Sequence, residues 1–154
     1  DMGDPNRRLD DLGIVLPDPF PSFGTYEMAV LDGDTLYTAG HVPVDGSSFV
    51  TGKLGADLTL EQGVVAAQLA ALSLLSTIRA ELGDLARVRR VLNVTVTVNS
   101  TPDFTDHTAV GNGASDLLVD VLGDAGKHAR LAVGVSSLPG NLALEVQAIV
   151  AVHP

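Results

Sequence analysis

The longest periodic stretch of the chain is TLEQGVVAAQLAALSLLSTIRAELG, residues 59–83. Val65, Leu69, Leu72, Leu75 and Ile78 recur at steps of three or four, the spacing of one helical face. Thr59 and Gln62 stand in capping-box register, and Gly83 falls where a helix C-cap belongs. The period then changes. In RRVLNVTVTVNS, Val94, Val96 and Val98 alternate with Asn93, Thr95, Thr97 and Asn99. That predicts a strand with one buried face and a second face that is polar but uncharged.

Weaker patterns fill in the rest. YEMAVLDGDTLYTAGHVPV places two short apolar runs on either side of DGD, a hairpin signal, and SFVTG adds a third short strand. A second helix is expected over 108–122, ending at Gly123, with the glycines of VGNGAS weakening its first turn. Two strands close the chain, 130–136 and 142–152, around the proline-constrained turn SLPGN. Residues 1–23, with the prolines of LPDPFPSF, read as an extended lead-in, and 24–154 as a single domain. Strands mixed with two helices give an α+β fold, a sheet covered on one face.

Composition narrows the function classes. The chain has 154 residues, a net charge of −10 and no cysteine. Disulfides and thiolate metal sites are excluded, and a cytoplasmic setting is the expectation. No run is read as a membrane span or as a secretory h-region. Nine Lys and Arg against nineteen Asp and Glu, with only six aromatic residues, disfavour a nucleic-acid partner. The one basic cluster, RVRR, reads as a solvated connection.

Candidate chemistry centres on the last two strands. Arg130 opens the apolar run RLAVGV, and Glu145 and Gln147 share one face of LEVQAIV, about 7 Å apart. A guanidinium, a carboxylate and an amide are thus expected on one side of the sheet. Either Arg130 pairs with Glu145 or it awaits an anion. His41, His107, His128 and His153 show no metal-ligand spacing, and DFTDH reads as a capping turn. Nucleophile-elbow, phosphate-loop and dinucleotide patterns are missing, so no metal and no cofactor is expected.

The order of several short motifs resembles the Rid family, also called the YjgF or L-PSP family, over about residues 12–152. The segments are YEMAV, LYTAGHVP in place of the family's S-G-Q-x-P, EQ opening a long helix, DF with a following Asn, AR opening a strand, LP at a turn, and EVQAIV. GNGASDLLVDVLGDAGKHAR looks like a longer branch of that family. The resemblance implies a chorismate-mutase-like fold, with two helices packed on one sheet face. It also implies a homotrimer whose uncovered sheet faces meet, leaving clefts between subunits, with Ala132, Gly134 and Ser136 keeping one strand side small.

The resemblance also implies an activity: hydrolysis of reactive 2-imino or enamine acids to 2-keto acids and ammonia. Arg130 would grip the substrate carboxylate through its planar fork. Tyr26, Gly40, His41 and Asn112 would line the cleft. Three departures stand out: Leu131 for the family serine, Ala132 for a cleft cysteine, and Gln147 at the position matched to the water-holding glutamate, with Glu145 two residues earlier. An amide orients water but does not take its proton. Gln147 therefore keeps open a non-catalytic trimer that binds a small carboxylate. An endoribonuclease, a label attached to the family, fits the charge least.

Overall fold

The computed structural model describes residues 3–154; residues 1 and 2 of the expected lead-in lie outside the described residues. In chain order the elements are α1 (Pro5–Leu12), β1 (Ala29–Asp32), β2 (Thr35–Thr38), β3 (Val44–Asp45), β4 (Ser48–Phe49), α2 (Leu60–Leu82), β5 (Val88–Asn99), α3 (His107–Leu122), β6 (Ala129–Val135) and β7 (Leu144–Val152). A five-stranded sheet runs β1-β2-β7-β5-β6, and β3 and β4 form a separate small hairpin. β5 and β6 are parallel, and every other pairing is antiparallel. A parallel pair needs a crossover, which α3 supplies.

The lead-in is not extended throughout. α1 makes this a fold of three helices rather than two. Asp4 caps it by accepting from the Asn6 N–H, Pro5 starts it with φ already set, and Gly13 ends it in the left-handed region at φ 69°. Leu9 and Leu16 are buried. The Asn6 amide donates to Asp84 Oδ1 at 3.0 Å, tying α1 to the turn before β5. A helix of eight largely polar residues shows no long apolar stripe, and the cap residues were its only legible signal.

α2 carries the capping box, with reciprocal bonds between Thr59 and Gln62, and closes at Gly83. Its buried stripe is displaced from the one expected. Ala66, Ala67, Ala70, Ala71, Leu74, Leu75 and Ile78 are at or near zero exposure, while Val65 is 52% exposed. Close approach of α3 explains this. A side chain on Gly113 would place Cβ 2.3 Å from the Val64 carbonyl oxygen, so the helices touch backbone to backbone. Alanines fit such a contact and large residues do not. Among the described residues α2 is also long and apolar enough to cross a membrane, against the sequence reading. Most of that apolar surface is spent inside the protein, as in a core helix.

The sheet's covered face supplies Val91, Val94, Val96, Val98, Leu144, Val146 and Val150 to a core that contains no aromatic residue. The opposite face carries Tyr37, Asn93, Thr95, Thr97, Leu131, Val133, Glu145, Gln147 and Ile149, none of them fully buried. The small residues of β6 serve the other side. Ala132 lies against Gly111 of α3, and Gly134 lies under His107 and Ser100. They make room for α3, not for a neighbouring sheet.

Candidate functional site

Arg130 is in register with Val94, a fully buried residue of the helix-covered face. Its side chain therefore turns toward α3. There Nη1 donates to Asn112 Oδ1 and to Ser115 Oγ, both at 3.0 Å, and Nη2 donates to the Thr108 carbonyl at 3.1 Å. Thr108, Asn112 and Ser115 lie on one helical face, and Gly111 among them leaves space for the guanidinium: a Cβ there would sit 3.0 Å from Nη1. All three acceptors are neutral. The bonds leave Nε and one Nη2 hydrogen, the side-on edge of a guanidinium fork.

The brace extends further. Ser115 Oγ is 2.9 Å from His128 Nε2, and His128 Nδ1 is 2.6 Å from the Gly126 carbonyl. A carbonyl only accepts, so Nδ1 carries the proton and Nε2 accepts from the serine. Burial, more than the neighbouring Arg130 charge, holds the imidazole pKa below its ordinary value and keeps the ring neutral. Sequence reading found Asn112 but missed Ser115 and His128; the one signal was the spacing of Thr108, Asn112 and Ser115 on a helix facing the strand that begins at Arg130.

Glu145 lies on the other face of the sheet. β5 separates β6 from β7, and Glu145 is in register with Thr97 on the open side. The expected convergence of Arg130 with Glu145 and Gln147 on one side does not occur within a chain, and neither does an Arg130–Glu145 ion pair. Instead the Glu145 carboxylate lies over Gly40: a Cβ there would sit 2.8 Å from Oε2. Among the described residues it has no ion-pair partner. Partial burial pushes its pKa up from the ordinary glutamate value. Gln147 stands apart and exposed, beside a shallow hollow of about 120 Å³ shared with Tyr37, Asn93, Thr95 and Ile149.

His41 does not line a cleft. It is 1% exposed, with Nδ1 2.8 Å from the Ala39 carbonyl and Nε2 2.8 Å from Thr77 Oγ1. Burial lowers its pKa, so the neutral ring donates from Nδ1 and accepts from the Thr77 hydroxyl. Its backbone exchanges two hydrogen bonds with Val146, at 2.7 and 2.9 Å. His41 thereby pins the loop that presents Gly40 to Glu145. Tyr26 precedes β1, is 47% exposed, and accepts a 3.2 Å bond at its hydroxyl from the Phe23 N–H. The site residues thus fall into two groups. Arg130 and Asn112 lie at the α3–β6 edge. Gly40 and Glu145 lie on the open sheet face, with Tyr26 in the loop before β1.

The family model described as "YjgF/chorismate mutase-like, putative endoribonuclease" matches residues 6–150. Protein TCP17 of Trypanosoma cruzi is 46% identical over 145 residues, covering 93% of this chain and 91% of its own. The protein Atu1372 of Agrobacterium tumefaciens superposes with a TM-score of 0.90 at 38% identity, covering 97% of this chain and 92% of that one. RidA from the Antarctic bacterium Psychrobacter sp. PAMC 21119, at 23% identity and a TM-score of 0.61 over 90% of this chain and 96% of that one, shares the fold.

Proposed function

The chain belongs to the YjgF/chorismate-mutase-like family, and on that premise we propose that it hydrolyses 2-imino acids, or their enamine tautomers, to 2-keto acids and ammonia. The observation that carries this reading is Arg130, a guanidinium braced by three neutral acceptors with its side-on edge unspent. That edge suits a carboxylate, which it would hold by two parallel bonds.

The second requirement is a base for water. Glu145 fits it better than Gln147. It is a carboxylate, it stands beside a residue with no side chain, and its pKa is raised toward working pH. Water held by Glu145 attacks the carbon of the C=N bond. Glu145 takes a proton from that water and gives it to the imine nitrogen, leaving a carbinolamine; it then takes the hydroxyl proton and passes it to the same nitrogen. The C–N bond breaks, ammonia departs and the carbonyl forms. Fixing the substrate carboxylate holds the reacting carbon near that one water, and orientation supplies much of the acceleration.

Arg130 and Glu145 face opposite ways in one protomer, so a site using both takes Arg130 with Asn112 from one subunit and Glu145 with Gly40 and Tyr26 from the next. A homotrimer joined through the open sheet faces would build three such clefts. A non-catalytic trimer that binds small carboxylates is the reading that Gln147 supports; Glu145 beside Gly40 favours turnover instead. An endoribonuclease fits poorly with a charge of −10.

The test is ammonia and keto-acid release from imines made in place by an amino-acid oxidase or a serine/threonine dehydratase. Wild type should exceed the buffer rate, and Arg130→Ala should not. Equal rates for wild type and buffer would reject the deaminase. Calorimetry with 2-keto acids would then decide whether the carboxylate site exists at all.

A further inference from the structure

Only six of the 154 residues are aromatic, four of them Phe, and none lies in the buried core. Three of the four phenylalanines instead form one cluster at the surface. Phe20, Phe23 and Phe49 have ring centroids 5.5 to 6.0 Å apart in tilted and edge-on contacts. Phe23 is 63% exposed and Phe49 37%. A chain that builds its core from Leu, Val and Ala and keeps these rings half in solvent has placed them for something that arrives later.

The cluster borders a cavity of about 230 Å³ lined by Phe23, Phe49, Thr51, Pro139, Gly140 and Leu142. Its walls are almost wholly apolar. The volume falls below the roughly 300–1,000 Å³ of sites that swallow a whole ligand, so it suits one side chain. Two chain connections lead from it toward the Glu145 half of the cleft. Phe23 is hydrogen-bonded to Tyr26, and Pro139 belongs to the LP turn that leads into β7. Leu142 lies three residues before Glu145, in the segment that enters β7. Prolines 19 and 21 and the Ser22–Gly24 bond stiffen the segment that presents the rings.

We propose, resting on the deaminase reading above, that this aromatic pocket is the side-chain subsite of the same cleft, so that the preferred substrates are 2-imino acids with branched aliphatic or aromatic side chains. The carboxylate would sit on Arg130, the C=N carbon near Glu145, and the side chain among Phe23, Phe49 and Leu142. Each methylene buried there adds to selectivity, and pocket walls of this kind discriminate by about 10-fold or more per group.

The experiment measures kcat/KM for the imines of alanine, 2-aminobutyrate, leucine and phenylalanine, alongside calorimetry with the matching 2-keto acids. The leucine and phenylalanine imines should exceed the alanine imine by about 10-fold or more. The ratio of leucine to alanine imine should collapse toward one in Phe23→Ala and Phe49→Ser and recover in Phe23→Leu. Keto-acid affinities should follow the same order. A flat or inverted series in wild type, with turnover intact, overturns the subsite and leaves the deaminase standing. An unchanged ratio in the variants, or variants that change the oligomeric state instead, overturns it as well and assigns the rings to subunit packing. No turnover with a graded keto-acid series would keep the subsite and remove the deaminase; no turnover and no binding would remove both.

Discussion

Arg130 and Glu145 lie on opposite faces of one sheet, with β5 running between their strands. A centre that uses both groups would be divided between protomers. Mixing unfolded Arg130→Ala with unfolded Glu145→Gln and refolding them together should therefore restore activity that neither has alone. Random mixing gives roughly a quarter of the sites both native groups. Refolded mixtures as inactive as either parent would mean that each chain works by itself or not at all.

Arg130→Lys keeps the charge and loses the fork. A lysine ammonium is a point donor and cannot offer a side-on edge to a carboxylate. The variant should lose about 100-fold in kcat/KM, mostly through KM, with the fold retained in its circular dichroism. Near-native kinetics would reduce Arg130 to a general positive charge.

Glu145→Gln addresses the base. It should lower kcat by about 100-fold or more and erase the acid limb of the pH–rate profile, which burial of Glu145 is expected to shift upward in wild type. Stability should move the other way. The native state holds the Glu145 proton more tightly than the unfolded chain, whose carboxyl titrates near 4.5. That contribution is full below pH 4.5 and is lost as pH rises through the higher folded value. The variant's thermal midpoint should match wild type at low pH and exceed it at neutral pH, read by calorimetry at one protein concentration. A Gln147→Ala variant should leave the acid limb in place.

Gly40→Ala tests the approach of the loop to Glu145. The added methyl would sit 2.8 Å from Oε2, the far end of a flexible side chain, so the carboxylate swings aside and the fold survives. Activity should fall about 10-fold with little change in thermal midpoint. A large loss of stability would show that the contact is structural.

Gly113→Ala should do the reverse. Its methyl would meet the Val64 carbonyl at 2.3 Å, backbone against backbone, with nothing to rotate away. The expected cost is about 2–3 kcal/mol in urea unfolding, since the helices must separate.

Much of this architecture was legible because its signals are local. The capping box at Thr59, the alternation of Val94, Val96 and Val98, and the glycine after Leu82 each act within a few residues. The site was less legible because its parts are joined by topology. Sequence neighbours suggested that the strands of Arg130 and Glu145 would be adjacent, yet β5 inserts between them. The glycines of VGNGAS read as helix weaknesses, yet Gly111 makes room for a guanidinium and Gly113 for a second helix. His41 read as a cleft residue from its motif, but nothing in one sequence reveals that Thr77, on another element, closes over its ring.

The neutral brace around Arg130 has a cost in selectivity. Two amide and hydroxyl oxygens and one peptide carbonyl fix the direction of the charge without cancelling any of it. Every small anion in the surroundings, from chloride and acetate to a keto acid formed by the proposed reaction, would meet the same field. If the proposed hydrolysis holds, occupancy should drift with ionic strength and product should compete with substrate for one seat. Choosiness among carboxylates would then have to be exercised at the far end of the molecule held.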